Sequence, residues 1–144
     1  MEPVTEIELS KRDEGLLRGE AKRVKPLEAC ALLTGKIEQG RARGLRVLLA
    51  QNVEASTARF TVGPELLLEV ITRAEEKGEE LVAIFHSHEG SASPSELDLS
   101  FMKLNPVVWL IFSNAEDRLA AYQWQEGSVR RLIIRRRRGT AACA

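Results

Sequence analysis

Apolar and polar residues alternate in short runs along most of the chain, and in three stretches the apolar spacing lengthens to the three and four residues of a helix. Ile7 and Leu9 alternate with Glu6, Glu8 and Ser10, which predicts a short opening strand. From Asp13 to Arg23 the apolar points are Leu16 and Leu17, with Val24 just beyond. Basic residues gather at its end, as in an amphipathic helix. Pro26 cannot continue it. Leu27 to Thr34 is an apolar segment closed by Gly35, and Glu28 stands inside it with only Lys25 nearby to offset its charge. Glu28 is therefore either at an exposed strand end or put to use. Glu38-Gln39-Gly40 reads as a hairpin turn, with a return strand from Leu45 to Ala50. Phe60-Thr61-Val62 reads as a short strand before Gly63. Pro64 then opens a helix that spaces Leu66, Leu67, Val70, Ile71 and Ala74 along one face and ends at Gly78.

Leu81-Val82-Ala83-Ile84-Phe85 is continuously apolar and predicts a buried strand. A helix from about Ser95 to Leu104 follows and stops before Pro106. Three strands complete the pattern, from Val107 to Ser113, Arg118 to Gln125 and Ser128 to Ile134, with turns at Asn114-Ala115-Glu116-Asp117 and Glu126-Gly127. The order of elements predicts an α+β domain of α/β/α type, a curved mixed sheet flanked by helices on both sides.

Length and composition narrow this little further. The chain has 144 residues, enough for one domain with a sizeable core, and its 44% hydrophobic and 29% charged residues are ordinary for a globular protein. A formal net charge of zero gives no argument for nucleic acid as a partner. The polar, acidic start reads as no signal peptide, and no apolar run approaches the roughly 20 residues a membrane helix needs, so a cytoplasmic protein is expected, with no membrane partner. Two cysteines, Cys30 and Cys143, make neither a disulfide framework nor a zinc finger, and Cys30 reads as a core thiol. The domain is expected over residues 1–134. Residues 135–144, beginning with Arg135 to Arg138, read as a basic, flexible tail that is a solvated end rather than a nucleic-acid site. A homodimer is left open.

Chemistry concentrates at the end of the apolar strand. Both histidines of the chain, His86 and His88, lie two apart there and so point to one face. Neutral imidazoles are common zinc ligands, and a carboxylate, Asp98, follows after a Gly/Ser/Pro loop. Two histidines, one carboxylate and an open fourth position describe a catalytic zinc rather than a closed structural one. Ser95-Glu96-Leu97-Asp98 also fits a helix capping box, by which Asp98 merely caps. The two roles are compatible.

These residues resemble the JAMM (MPN+) metalloprotease family, whose motif is a glutamate, then His-X-His, then Ser-X-X-Asp. The family's Glu-X-X-Gly-Leu-Leu-X-Gly segment is matched by Glu28-Ala29-Cys30-Ala31-Leu32-Leu33-Thr34-Gly35 except at Ala31. Glu89 replaces a frequent proline after the second histidine, and the loop from His88 to Ser95 is one residue shorter than usual. The resemblance implies an MPN-like (cytidine-deaminase-like) fold of the prokaryotic or archaeal single-domain type, a desampylase-like isopeptidase. It implies one zinc per chain on His86, His88 and Asp98, a general base in Glu28 and an oxyanion donor in Ser95. It also implies ubiquitin-like modifier conjugates as partners. The short Glu89–Pro94 loop leaves little dedicated gripping surface, so an extended peptide is expected along an open sheet edge, with cleavage after diglycine. Two other readings stand beside it: a peptidase trimming a sulfur-carrier adduct, and a non-catalytic interaction module. Glu28 separates the last from the others, because a structural metal site has no use for a general base.

Overall fold

The computed structural model describes residues 1–52 and 62–138. Among them the elements run β1 (Glu6–Ser10), α1 (Lys11–Val24), β2 (Cys30–Glu38), β3 (Arg41–Ala50), α2 (Pro64–Glu76), β4 (Glu80–His88), α3 (Glu96–Leu104), β5 (Val108–Ser113), β6 (Arg118–Gln125) and β7 (Ser128–Arg137). Phe60 and Thr61 of the expected short strand lie outside the described residues, as does Cys143.

Local chemistry accounts for the boundaries. The Ser10 hydroxyl accepts the Asp13 N–H at 2.9 Å and caps α1, whose last turn carries Lys22 and Arg23. Between β2 and β3, Gln39 and Gly40 both take positive φ, 52° and 76°, the pair a two-residue hairpin turn demands. The β2–β3 register slips between Thr34 and Gly35, and a Cβ at Gly35 would lie 1.8 Å from the Arg43 carbonyl oxygen. Only glycine fits that crossing.

The expected MPN-like (cytidine-deaminase-like) α/β/α layering around an open, curved mixed sheet is not what forms. The seven strands close into a barrel in the order β1-β3-β2-β4-β5-β6-β7. Closure is the work of β1, which pairs in parallel with β3 on one side, from Glu6↔Arg41 to Glu8↔Arg43, and with β7 on the other, from Glu6↔Ile133 to Ser10↔Arg137. Charged side chains line this seam. Glu6 meets Arg135 at 2.9 Å and Arg41 at 3.5 Å, while Glu8 meets Arg43 at 3.0 Å and Arg137 at 3.3 Å. β7 thus runs on to Arg137 rather than stopping at Ile134, and β3 begins at Arg41 rather than Leu45. A closed ring also removes the open edge on which a peptide was expected to lie.

Strands β2, β4, β5 and β6 are buried on both faces, and alternate residues serve two cores. Ala31, Leu33, Ala83, Phe85, Leu110, Phe112 and Ala121 pack in one with Leu17 and Ala21 of α1. Leu32, Ile84, Trp109, Ile111, Ala120 and Tyr122 pack in the other with Val70 of α2 and Met102 of α3. His86 and His88 continue the face of Ile84, so they emerge beside α3. No helix among the described residues is long and apolar enough to cross a membrane.

Candidate metal centre

Three elements deliver the site, each through a different device. On β4, His86 and His88 extend two and four residues beyond Ile84 along one face, and the His86 ring stands edge-on to Trp109, with centroids 5.9 Å apart. On α3, Asp98 lies one turn before Met102, whose burial in the second core turns that helix face towards the strand. Glu28 lies just ahead of β2. There the Ser87 hydroxyl accepts the Ala29 N–H at 2.8 Å and the Ser87 N–H donates to the Ala29 carbonyl at 3.1 Å. That clamp continues the antiparallel register set by Cys30↔His86, which puts Glu28 opposite His88.

The resulting geometry is tight. His86 Nε2 lies 3.0 Å from His88 Nε2, 3.1 Å separates it from Asp98 Oδ1, and His88 Nε2 is likewise 3.1 Å from Asp98 Oδ2. One donor atom each from Glu28, His86 and His88 lie within 4.8 Å of one another. Ligand atoms around a tetrahedral ion with bonds of about 2.0–2.1 Å are about 3.3 Å apart, close to the spacing of the histidine–aspartate trio.

Donor chemistry supports a cation there. His88 Nδ1 lies 3.1 Å from the Ser91 carbonyl, which can only accept, so Nδ1 carries a hydrogen. In the neutral ring Nε2 then bears a lone pair, and it faces another imidazole nitrogen and a carboxylate. Such a meeting of acceptors needs a shared cation, a metal or a proton. The residues present therefore fit a metal ion among these donors, with Glu28 adjacent.

Asp98 completes the helix cap read from its motif while its carboxylate faces both histidines. Its Oδ2 accepts the Ser95 N–H at 2.8 Å while its own N–H donates to Ser95 Oγ at 3.1 Å, a complete capping box. Ser95 is exposed, and its hydroxyl hydrogen is not needed for that box. Glu89 is held by Asn114, whose Nδ2 donates to its carboxylate at 2.6 Å. Cys30 is buried, and its sulfur lies 3.4 Å from the Ala50 carbonyl.

Burial sets the electrostatics. Glu28 is raised to about 7, chiefly by desolvation, with the Asp98 charge adding to the rise and His88 opposing it. Burial lowers His86 despite its bond to Asp98. Burial acts to lower His88 too, but the hydrogen bond and charge of Asp98, the Ser91 carbonyl and Glu28 together raise it. For Asp98, burial is outweighed by hydrogen bonds from His86, His88 and the Ser95 N–H, so its carboxyl is held well below the usual range. Burial, then the charges of Glu20 and Glu28, push the Cys30 thiol up to about 12, so it stays a thiol at neutral pH.

Sequence reasoning overlooked Ser87, Asn52 and Ser91. Ser87 had a signal, being a polar residue on the inward face of an otherwise apolar strand. Asn52, whose Nδ2 donates to the Glu28 carbonyl at 3.1 Å, and the Ser91 carbonyl had none, because their roles depend on pairing and loop path.

The chain is 40% identical over 86 residues to the desampylase of Pyrococcus furiosus, a stretch covering 59% of each protein, so the match spans less than two thirds of that relative's length. The solution structure of protein DSY2949 from Desulfitobacterium hafniense shares the fold, with a TM-score of 0.80 and 24% identity over 94% of this chain and 95% of that one. Residues 11–126, which contain Glu28, His86, His88, Ser95 and Asp98, match the prokaryotic homologs of the JAB domain, and the chain belongs to that family.

Proposed function

We propose that this chain is a zinc-dependent isopeptidase that cleaves between the diglycine end of a small ubiquitin-like modifier and a lysine of its target. The observation that carries the reading is the meeting of Glu28 with His86, His88 and Asp98 at one point, in a member of this family. The desampylase name of the Pyrococcus furiosus relative agrees with it.

Zinc held by His86, His88 and Asp98 would supply a Lewis acid and bring the pKa of a water down to about 7. Glu28, adjacent to the proposed metal and opposite His88, is placed to take a proton from that water and return it to the leaving lysine amine. A purely structural site has no use for such a base, which argues against a non-catalytic module. Ser95 offers its free O–H hydrogen to the oxyanion of the tetrahedral intermediate. Asp98 fixes Ser95 through the capping box, so one side chain ties the proposed metal site to the proposed oxyanion donor.

The test is to load the protein with zinc and offer matched conjugates whose modifier tails end Gly-Gly or Ala-Ala, an unstructured peptide with the same junction, and a sulfur-carrier protein bearing a short C-terminal adduct. Preferential turnover of the Gly-Gly conjugate is expected. Equal turnover of the conjugates and the peptide would show a general peptidase, and turnover confined to the adduct would move the substrate to sulfur-carrier processing.

A further inference from the structure

The six residues between His88 and Ser95 form no strand or helix, yet they are fastened repeatedly to the end of β5, to β6 and to the turn between them. The Asn114 N–H donates to the His88 carbonyl at 2.9 Å, and its side chain holds Glu89. The buried Ser113 hydroxyl donates to the Gly90 carbonyl and accepts the Glu116 N–H at 2.8 Å. Ala92 is wholly buried between exposed Ser91 and Ser93, and both its backbone groups are met by side chains. Its N–H donates to Glu116 Oε1 at 3.2 Å, and its carbonyl accepts the Tyr122 hydroxyl at 2.9 Å.

One of these contacts bears on the proposed metal centre. The Ala92 N–H and the Ser91 carbonyl belong to a single peptide group, which is planar, so the direction of one fixes the direction of the other. The carbonyl end of that group accepts the Nδ1 hydrogen of His88 at 3.1 Å. Glu116, the Ser91–Ala92 peptide and His88 thus form a relay of carboxylate, amide and imidazole. In such chains each hydrogen bond polarises the next. The carboxylate strengthens the carbonyl as an acceptor, and the carbonyl holds the ring with Nε2 bare towards His86 and Asp98.

Resting on the metal-centre reading above, we infer that Glu116 is a positioning residue for His88, acting through the Ser91–Ala92 peptide, with Tyr122 clamping the next carbonyl. Neither residue touches the ligand atoms. The Ala92 N–H, and after it Arg118 at 3.1 Å from Glu116 Oε1, hold that carboxyl below its ordinary value, so it is ionised at neutral pH.

Zinc affinity of the full chain, measured by competition with a chromophoric chelator, tests the inference without recourse to activity. Partners of metal-bound histidines contribute about 10- to 100-fold in affinity, and one step further out the lower end is expected. Glu116→Ala should weaken zinc binding about 10-fold. Glu116→Gln, which keeps an acceptor oxygen, should recover most of the loss, and Tyr122→Phe should weaken binding by a smaller factor. In the zinc-loaded protein the His88 Nδ1–H proton resonance should exchange faster with solvent in Glu116→Ala than in the parent. Gln123→Leu serves as the control, because Gln123 bonds Val4, Glu2 and Pro106 away from the loop and should cost stability with no change in affinity. Unchanged affinity in both Glu116→Ala and Tyr122→Phe, or an equal loss in Gln123→Leu, overturns the positioning role. A parent protein that binds no zinc overturns the metal-centre reading and this inference with it.

Discussion

Glu28 is buried to 5% exposure opposite His88, and its raised pKa has two consequences that can be measured separately. Glu28→Gln is nearly isosteric but cannot take up a proton, so zinc binding and fold should persist while hydrolysis is lost. Retained hydrolysis in that variant would rule out Glu28 as the base. Ser95→Ala should reduce turnover by about 10²- to 10³-fold, the usual effect of one oxyanion donor, and cost about 1 kcal/mol through the lost cap. The second consequence is thermodynamic and belongs to the metal-free chain. Between its ordinary value of 4.5 and about 7, folded Glu28 holds a proton that the unfolded chain has released. Its contribution to stability is therefore full below 4.5 and falls as pH rises towards 7, by up to about 3 kcal/mol. Chemical denaturation of the metal-free parent and Glu28→Gln across that window should show the variant gaining relative to the parent as pH rises. Parallel profiles would mean that burial does not perturb this carboxyl.

The elements differ in how much of their sequence tolerates change, and two glycine classes show it. Gly35 sits where β2 and β3 shift register and has backbone where a Cβ would go. Gly35→Ala should cost more than about 3 kcal/mol or prevent folding, as overpacking against rigid main chain does. Gly19, inside α1, has nothing within 4 Å of an added Cβ, so Gly19→Ala should stabilise by about 1 kcal/mol. Thermal unfolding of the two variants settles both signs, and a mild Gly35→Ala would mean that the strands can separate at the slip. At this scale the sequence was informative wherever one element's own residues carried the signal. The continuous apolar run from Leu81 to Phe85 located β4, the two-residue spacing of its histidines gave their shared face, and Pro64 and the capping box at Ser95 located two helix starts. It failed at Arg41-Ala42-Arg43 and at Arg135 to Arg137, which read as loop and tail because charged residues dominate them. Their strands pair with β1, whose backbone and acids lie far away in the chain.

For the whole molecule, the ring is completed by a five-residue strand that pairs on both sides with partners distant in sequence. No local pattern announces parallel pairing between residues near 8 and 135, which is why an open sheet was expected and a barrel is found. The candidate site was legible regardless, because its residues come from the β2–β4–α3 side and do not depend on the seam. Closure itself can be tested by ending the chain after Ile134. That deletion removes the Glu8↔Arg135, Leu9↔Arg136 and Ser10↔Arg137 pairings, and with them the 2.6 Å ion pair from Arg136 to Glu14 of α1. The replacement Arg135→Ala instead keeps the strand backbone and removes one half-exposed charge, worth about 1 kcal/mol or less. If β1 is held by its backbone ladder, the truncation should cost several times more than the substitution, and its stability should respond only weakly to added salt. If charge alone holds the seam, the two variants should lose similar stability and salt should weaken the parent towards them. Urea unfolding at low and high ionic strength separates the outcomes, and a truncated chain as stable as the parent would show that β7 beyond Ile134 has no part in closing the barrel.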